Sequence, residues 1–180
     1  GSGKNPREPV TLSQQVQDLK DVHQWALSLG YKRFATIGLS FGGLTSLIPE
    51  LKGRLCAVFW APAFYMKDVI GKLRLMGSSL VFTFRSKPIN IPSNNNEPIQ
   101  IDEDFFQELK KLDVNGILSN FALPSLIVQG RDDKTVRPEW TREAFSRMPK
   151  GQEHKYVEIN KATHDFDGRE LDEFIGHTVK

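Results

Sequence analysis

The chain has 180 residues, 39% hydrophobic and 26% charged, with 24 basic and 22 acidic side chains giving a formal net charge of +2, which is the make-up of one globular domain with its own core. Charges of both signs are interspersed, and pairs such as Lys110 and Lys111 are flanked by acids, so no basic stripe for nucleic acid is present. No stretch approaches the roughly 20 apolar residues of a membrane span, and the polar first residues do not read as a secretion signal, so none is expected.

Along the chain, Leu12, Val16, Leu19, Val22, Ala26 and Leu29 recur at spacings of three and four, which predicts a helix over 12–29 that Gly30 stops. Residues 33–39 (RFATIGL) form a β-rich run, SFGG follows at once, and an apolar helix is expected over 44–51. Strands are expected at 55–60, 125–129 and 155–159, with helices at 139–148 and 169–179. Apolar strands alternating with helices imply an open, mostly parallel α/β sheet covered on both faces. Residues 64–123 interrupt the alternation with helix-like pieces at 66–76 and 104–112 around SKPINIPSNNNEP. A structureless loop of that length is uncommon in a compact domain, so the expectation is an inserted cap on a core made of 1–63 and 124–180. Asn94, Asn95 and Asn96 read as an exposed loop tip, and Cys56, inside the apolar run 55–60, reads as packing in a reducing, cytoplasmic setting.

Gly38, Leu39, Ser40, Phe41 and Gly42 spell GxSxG at the end of an expected strand and the start of an expected helix. In that context the turn is sharp, the serine hydroxyl stands above the sheet, and the flanking glycines Gly38 and Gly42 are expected where strand and helix approach too closely for side chains. A serine needs a base, and the base needs an orienting acid. Asp132 and Asp133 follow the strand at 125–129, and His164 follows the strand at 155–159. Parallel strands deliver all three segments to one edge of the sheet, where open α/β folds bind their ligands. His23 and His177 lie within expected helices and His154 precedes a strand, so His164 is the candidate base; between the two acids the spacing alone leaves both open. No His or acid set recurs at metal-ligand spacing and no GxxxxGKS loop occurs, so neither metal nor cofactor is expected.

The segments GLSFGG, AVFWAPAF, IVQGRDDKTV and ATHDF resemble the α/β-hydrolase serine esterases and S33-peptidase-like proteins, with WAPAF and HDF most similar to feruloyl and cinnamoyl esterases. The resemblance covers most of the chain outside the cap. It matches Gly130, Asp133 and Val136 to the family's GxxDxxV pattern, which favours Asp133 over Asp132. It implies Ser40 as nucleophile, His164 as proton shuttle, Asp133 as orienting acid, and the Phe41 backbone N–H as one oxyanion donor. It further implies hydrolysis of small carboxylic esters without a cofactor, at a rate that falls in acid as the histidine protonates. A peptidase, thioesterase or lactonase uses the same triad, and a non-catalytic binding protein could keep the fold. The aromatic residues Phe64, Tyr65, Phe82, Phe84, Phe105, Phe106 and Phe121, with Met66, suit an acyl or aryl group under the cap, with two or three of them facing it. The family's second oxyanion donor comes from a loop after an early strand, and no such strand precedes Leu12. Gly1, Ser2 and Gly3 read either as a cloning remnant or as part of a GxGxS stretch. On the second reading the sequence resembles the carboxyl-terminal two-thirds of a hydrolase, to be completed by an N-terminal segment or by self-association.

Overall fold

The computed structural model describes residues 10–76, 89–91, 99–101, 103–166 and 168–179. Helix α1 (Leu12–Ser28) begins where Thr11 caps it, its side-chain oxygen accepting the Gln14 N–H at 3.1 Å. Strand β1 (Phe34–Leu39), helix α2 (Phe41–Leu47) and strand β2 (Arg54–Trp60) follow. The middle segment holds α3 (Met66–Met76), a separate antiparallel hairpin of β3 (Ile89–Ile91) and β4 (Ile99–Ile101), α4 (Glu103–Lys111) and α5 (Val114–Ser119). The chain then returns through β5 (Ser125–Gly130), α6 (Pro138–Arg147), β6 (His154–Ile159) and α7 (Arg169–Thr178).

The main sheet has the order β1-β2-β5-β6, and every neighbouring pair is parallel. All four carboxyl ends therefore lie on one edge. Alternate side chains of the strands feed two cores. On one face Phe59, Ile127 and Leu47 pack with Leu118 and Ala144 under α2, α5 and α6. On the other, Val128 and Ile159 pack with Phe174 of α7 and with Phe166, and Trp60 joins them. Each fully buried large side chain of this kind contributes about 1.5–3 kcal/mol.

The middle segment is built onto the same body. Phe105 and Leu109 of α4 pack with Leu12, Val16 and Leu44, which joins α4 to α1 and α2. Val69 of α3 packs with Val136, and Trp140 of α6 joins that contact.

Several elements depart from the sequence expectation for physical reasons. Helix α2 starts at Phe41 rather than 44, because the glycines after Ser40 enter the first turn. The strands β3 and β4 have three residues each and α5 has six around Gly116, too short for either period to show. The apolar stripe of α1 is buried only in its first half. Val22 and Leu29 are 59% and 56% exposed, since the second half of the helix runs along the uncovered flank of β1. His23 is buried there instead, its Nε2 2.9 Å from the Lys52 carbonyl oxygen and its ring edge-on to Phe34. Asn94, Asn95 and Asn96 lie outside the described residues. Among the described residues no helix is long and apolar enough to cross a membrane.

Candidate active site

Ser40 occupies the turn between β1 and α2 with φ 53° and ψ −117°, a left-handed conformation that costs a non-glycine residue of order 1–3 kcal/mol. Three bonds hold it there. The Ser40 N–H donates to the Trp60 carbonyl at 2.9 Å, and the Ser40 carbonyl accepts from Gly43 N–H at 3.0 Å and Ala63 N–H at 2.9 Å. Tight packing supports the turn. A Cβ on Gly38 would collide with the Gly42 carbonyl oxygen and lie 2.6 Å from Ser46 Oγ, and one on Gly43 would lie 2.6 Å from Pro62 Cβ. Gly42 differs from the expectation, because a Cβ there would meet nothing within 4 Å. The crowding falls on Gly43, one residue later, where α2 passes the segment after β2.

The acid sits in the loop after β5. Asp133 is 3% exposed; its Oδ1 accepts the Thr135 and Val136 N–H groups at 2.8 and 2.9 Å, and its Oδ2 accepts from the Gln129 amide at 3.1 Å. Oδ2 also faces His164 Nδ1 at 2.8 Å. The Asp132 side chain is exposed and bonds neither His164 nor Ser40, while its backbone N–H donates to the Ala162 carbonyl at 3.0 Å. The choice between the two acids is thus made by the turn, which buries one side chain and leaves the other exposed.

His164 follows β6. With Nδ1 toward Asp133, its Nε2 lies 3.0 Å from Ser40 Oγ. Nδ1–H donates to the carboxylate in this geometry, which leaves Nε2 free to accept the serine proton. Gly130 lets the two loops meet, since a Cβ there would strike the Ala162 carbonyl oxygen and lie 2.9 Å from that of Thr163. Arg131 ties the same loops from outside, donating to Asn160 at 2.7 Å and to Glu158 at 3.1 Å. Glu158 also accepts from Arg142 and from the Tyr156 hydroxyl. The Arg142 bond leads in holding the Glu158 carboxyl down at about 2, while burial pushes the Tyr156 hydroxyl well above its ordinary range.

Ser40, Asp133 and His164 are therefore together, and Phe41 opens α2 directly after Ser40, where the first helical N–H groups have no partner within the helix. The other histidines are apart: His23 is in α1, His177 near the end of α7, and His154 opens β6 at the opposite edge, its Nδ1 2.8 Å from Ser125 Oγ. Gln129 is the site residue that sequence reasoning missed. Its signal is a lone amide inside the otherwise apolar SLIVQG strand, fully buried and aimed at Asp133.

A cleft of about 910 Å³ opens beside His164 and Asp133. Its charged lining residues are Arg131, Asp132, Lys134, Arg137, Glu139 and Asp165, and it has no aromatic lining. No residue of 64–123 is in this lining, so the aromatics expected to face an acyl or aryl group are not part of this cleft. Phe64, Phe105 and Phe121 are buried in the cores, and Tyr65 bonds Asn115 through its hydroxyl; Phe82 and Phe84 lie outside the described residues. Among the described residues no group of three or more His, Cys, Asp or Glu side chains could hold a metal ion.

No protein-family model and no curated protein matches this sequence. Solved structures do match. Est1E from Butyrivibrio proteoclasticus, in its ferulic acid-bound structure, superposes with a TM-score of 0.70 at 19% identity over 93% of this chain and 66% of its own. The esterase domain of a Rhodothermus marinus protein gives 0.68 at 17% identity over 91% and 66%, and the Pyrococcus furiosus esterase Pf2001 gives 0.69 at 18% over 98% and 64%. The chain thus has the α/β-hydrolase fold, and it spans about two-thirds of the length of the structures it matches.

Proposed function

We propose that this chain, with its α/β-hydrolase fold, is a serine hydrolase of carboxylic esters that works through Ser40, His164 and Asp133. The observation that carries the reading is the continuous relay from Asp133 Oδ2 through His164 to Ser40 Oγ, at 2.8 and 3.0 Å, centred on a serine held at positive φ. Each part has a chemical reason. Nε2 takes the hydroxyl proton as Ser40 Oγ attacks the ester carbonyl, and Asp133 stabilises the imidazolium that forms. The Phe41 N–H donates to the developing oxyanion, an interaction whose loss costs about a hundredfold to a thousandfold elsewhere. His164 then returns the proton to the departing alcohol, and a water activated by the same imidazole releases the acid. The reaction draws on no cofactor.

We read residues 64–123 as a cap over this site. Two contacts support that reading: the ring of Phe41 meets Phe105 of α4 edge-on at 5.5 Å, and Val69 of α3 packs on Val136 beside Asp133. Est1E binds ferulic acid, and an aryl ester is one substrate class to offer this chain.

The test uses p-nitrophenyl butyrate with the unaltered chain and its Ser40→Ala form, together with a fluorophosphonate probe. The expected result is turnover and labelling at Ser40, both lost on substitution with the fold retained. A folded chain that the probe never labels would overturn the catalytic reading and favour a binding protein. Thioester and aminoacyl amide substrates in the same panel separate the ester reading from thioesterase and peptidase activity.

A further inference from the structure

Arg54 opens β2 at the edge of the sheet opposite Ser40, about 20 Å away along a seven-residue strand. Its side chain is 7% exposed, yet among the described residues no carboxylate bonds it. One terminal nitrogen donates to the Ser46 carbonyl at 2.6 Å, the other to the Pro49 carbonyl at 3.0 Å, and the buried Nε has no partner among the described residues. The Phe121 ring lies under the guanidinium at 5.6 Å. Two carbonyl dipoles and a ring face supply partial charge only, whereas a buried cation without a formal counter-charge is costly. Burial accordingly lowers the Arg54 pKa, opposed by the field of Glu50.

Arg54 also forms part of the wall of a cleft of about 700 Å³ between the end of α2 and the segment around α5. Leu47, Leu51, Ile117, Phe121 and Leu123 give the wall an apolar part, and Arg54 is the one cation in the lining. Its two acids stand differently. Glu50 is exposed at the rim, and Asp113 accepts the Gly116 N–H at 2.9 Å to cap α5.

We propose that this cleft binds a small monocarboxylate carrying an apolar tail, its carboxylate on the Arg54 guanidinium and its tail along the Leu47, Ile117 and Leu123 wall. A planar guanidinium fork matches a carboxylate, and the single cation balances a single negative charge. Phosphate fits worse, because a dianion would meet Glu50 and Asp113 with one cation to offset it. The apolar wall favours an aliphatic acid over acetate. The site is separate from the Ser40 edge, so its occupancy depends on none of the triad residues.

The probe is sodium hexanoate, titrated by calorimetry and thermal shift into the full chain, with hexan-1-ol and inorganic phosphate as controls. Saturable hexanoate binding with a Kd of about 1 mM or tighter is expected, with neither control binding. Arg54→Met should weaken it at least about tenfold. Ala122→Asp, at an exposed position of the same lining, adds a third acid to it without touching Arg54 and should weaken it too. Ser40→Ala should leave it unchanged. Hexanoate binding that survives Ala122→Asp, that disappears with Ser40→Ala, or that is absent from the unaltered chain at about 10 mM would overturn the proposal. So would equal binding of phosphate.

Discussion

Asp133 Oδ2 stands 2.8 Å from His164 Nδ1 across two loops that follow different strands, and the same oxygen also accepts the Gln129 amide. The carboxylate is thus fixed by its own turn before it fixes the imidazole. Replacing Asp133 by Asn should lower kcat by about 10⁴-fold, because the amide favours the wrong imidazole tautomer. Asp132→Asn, one residue away but bonded to neither His164 nor Ser40, should leave ester hydrolysis within about twofold. Initial rates on p-nitrophenyl butyrate, at matched folded fraction by circular dichroism, decide between them; equal losses would mean that the site is misassigned.

The glycines around Ser40 should divide the same way. Gly38→Ala drives a Cβ into the Gly42 carbonyl and Gly43→Ala drives one onto Pro62, so both should lower Tm and slow fluorophosphonate labelling sharply. Gly42→Ala has open space and should retain most of both. A Gly42 variant as damaged as the Gly38 variant would show that the turn is tighter than these distances allow.

This division shows what the sequence could and could not convey. The alternation of apolar strands with helices gave the parallel sheet, and the order Ser40, Asp133, His164 gave the relay, because both are properties of chain order. Side-chain direction within a turn is not. Nothing in the letters separates Gly42 from Gly43, and the two acids were told apart by resemblance before the Asp133 turn showed its inward bonds. Likewise composition could not say which aromatics of 64–123 pack and which face a cleft; Phe64, Phe105 and Phe121 are buried in cores, where burial is worth more. Short elements such as β3, β4 and α5 carry too few residues for a period to emerge.

Acid should unpick the staple outside the triad. The Glu158 carboxyl, held at about 2 by Arg142 first and by Tyr156 and Arg131 after it, ordinarily titrates at 4.5. Its depressed value contributes stability that is complete above the ordinary value and is lost as pH falls from there toward 2. Screening at this partly solvated cluster limits the gain to about 1–2 kcal/mol. Glu158→Gln should therefore lower stability in urea by about that amount at pH 7 and by much less near pH 2.5. A pH-independent difference between the two proteins would remove the ion cluster from the account.

The last prediction concerns the open side of the sheet. Strand β1 is an edge strand among the described residues, and its Ile37 and Leu39 are 59% and 48% exposed. Their register partners Val58 and Trp60 place them on the face that α7 covers elsewhere, and α7 reaches across only as far as Trp60, whose indole N–H donates to Thr178 at 3.0 Å. Val22 of α1 lines one groove with Ile37 and is also exposed, so an apolar flank borders the open strand edge. Such an edge pairs readily with another strand, and covering Ile37 and Leu39 would contribute up to about 1.5–3 kcal/mol each. The chain studied by itself should associate with a second copy in a concentration-dependent way through β1. Ile37→Lys places a charge on that edge and should shift sedimentation toward the monomer without lowering the helical signal. If the unaltered chain sediments as a monomer at every concentration, and Ile37→Lys changes nothing, the flank is inert and the prediction fails.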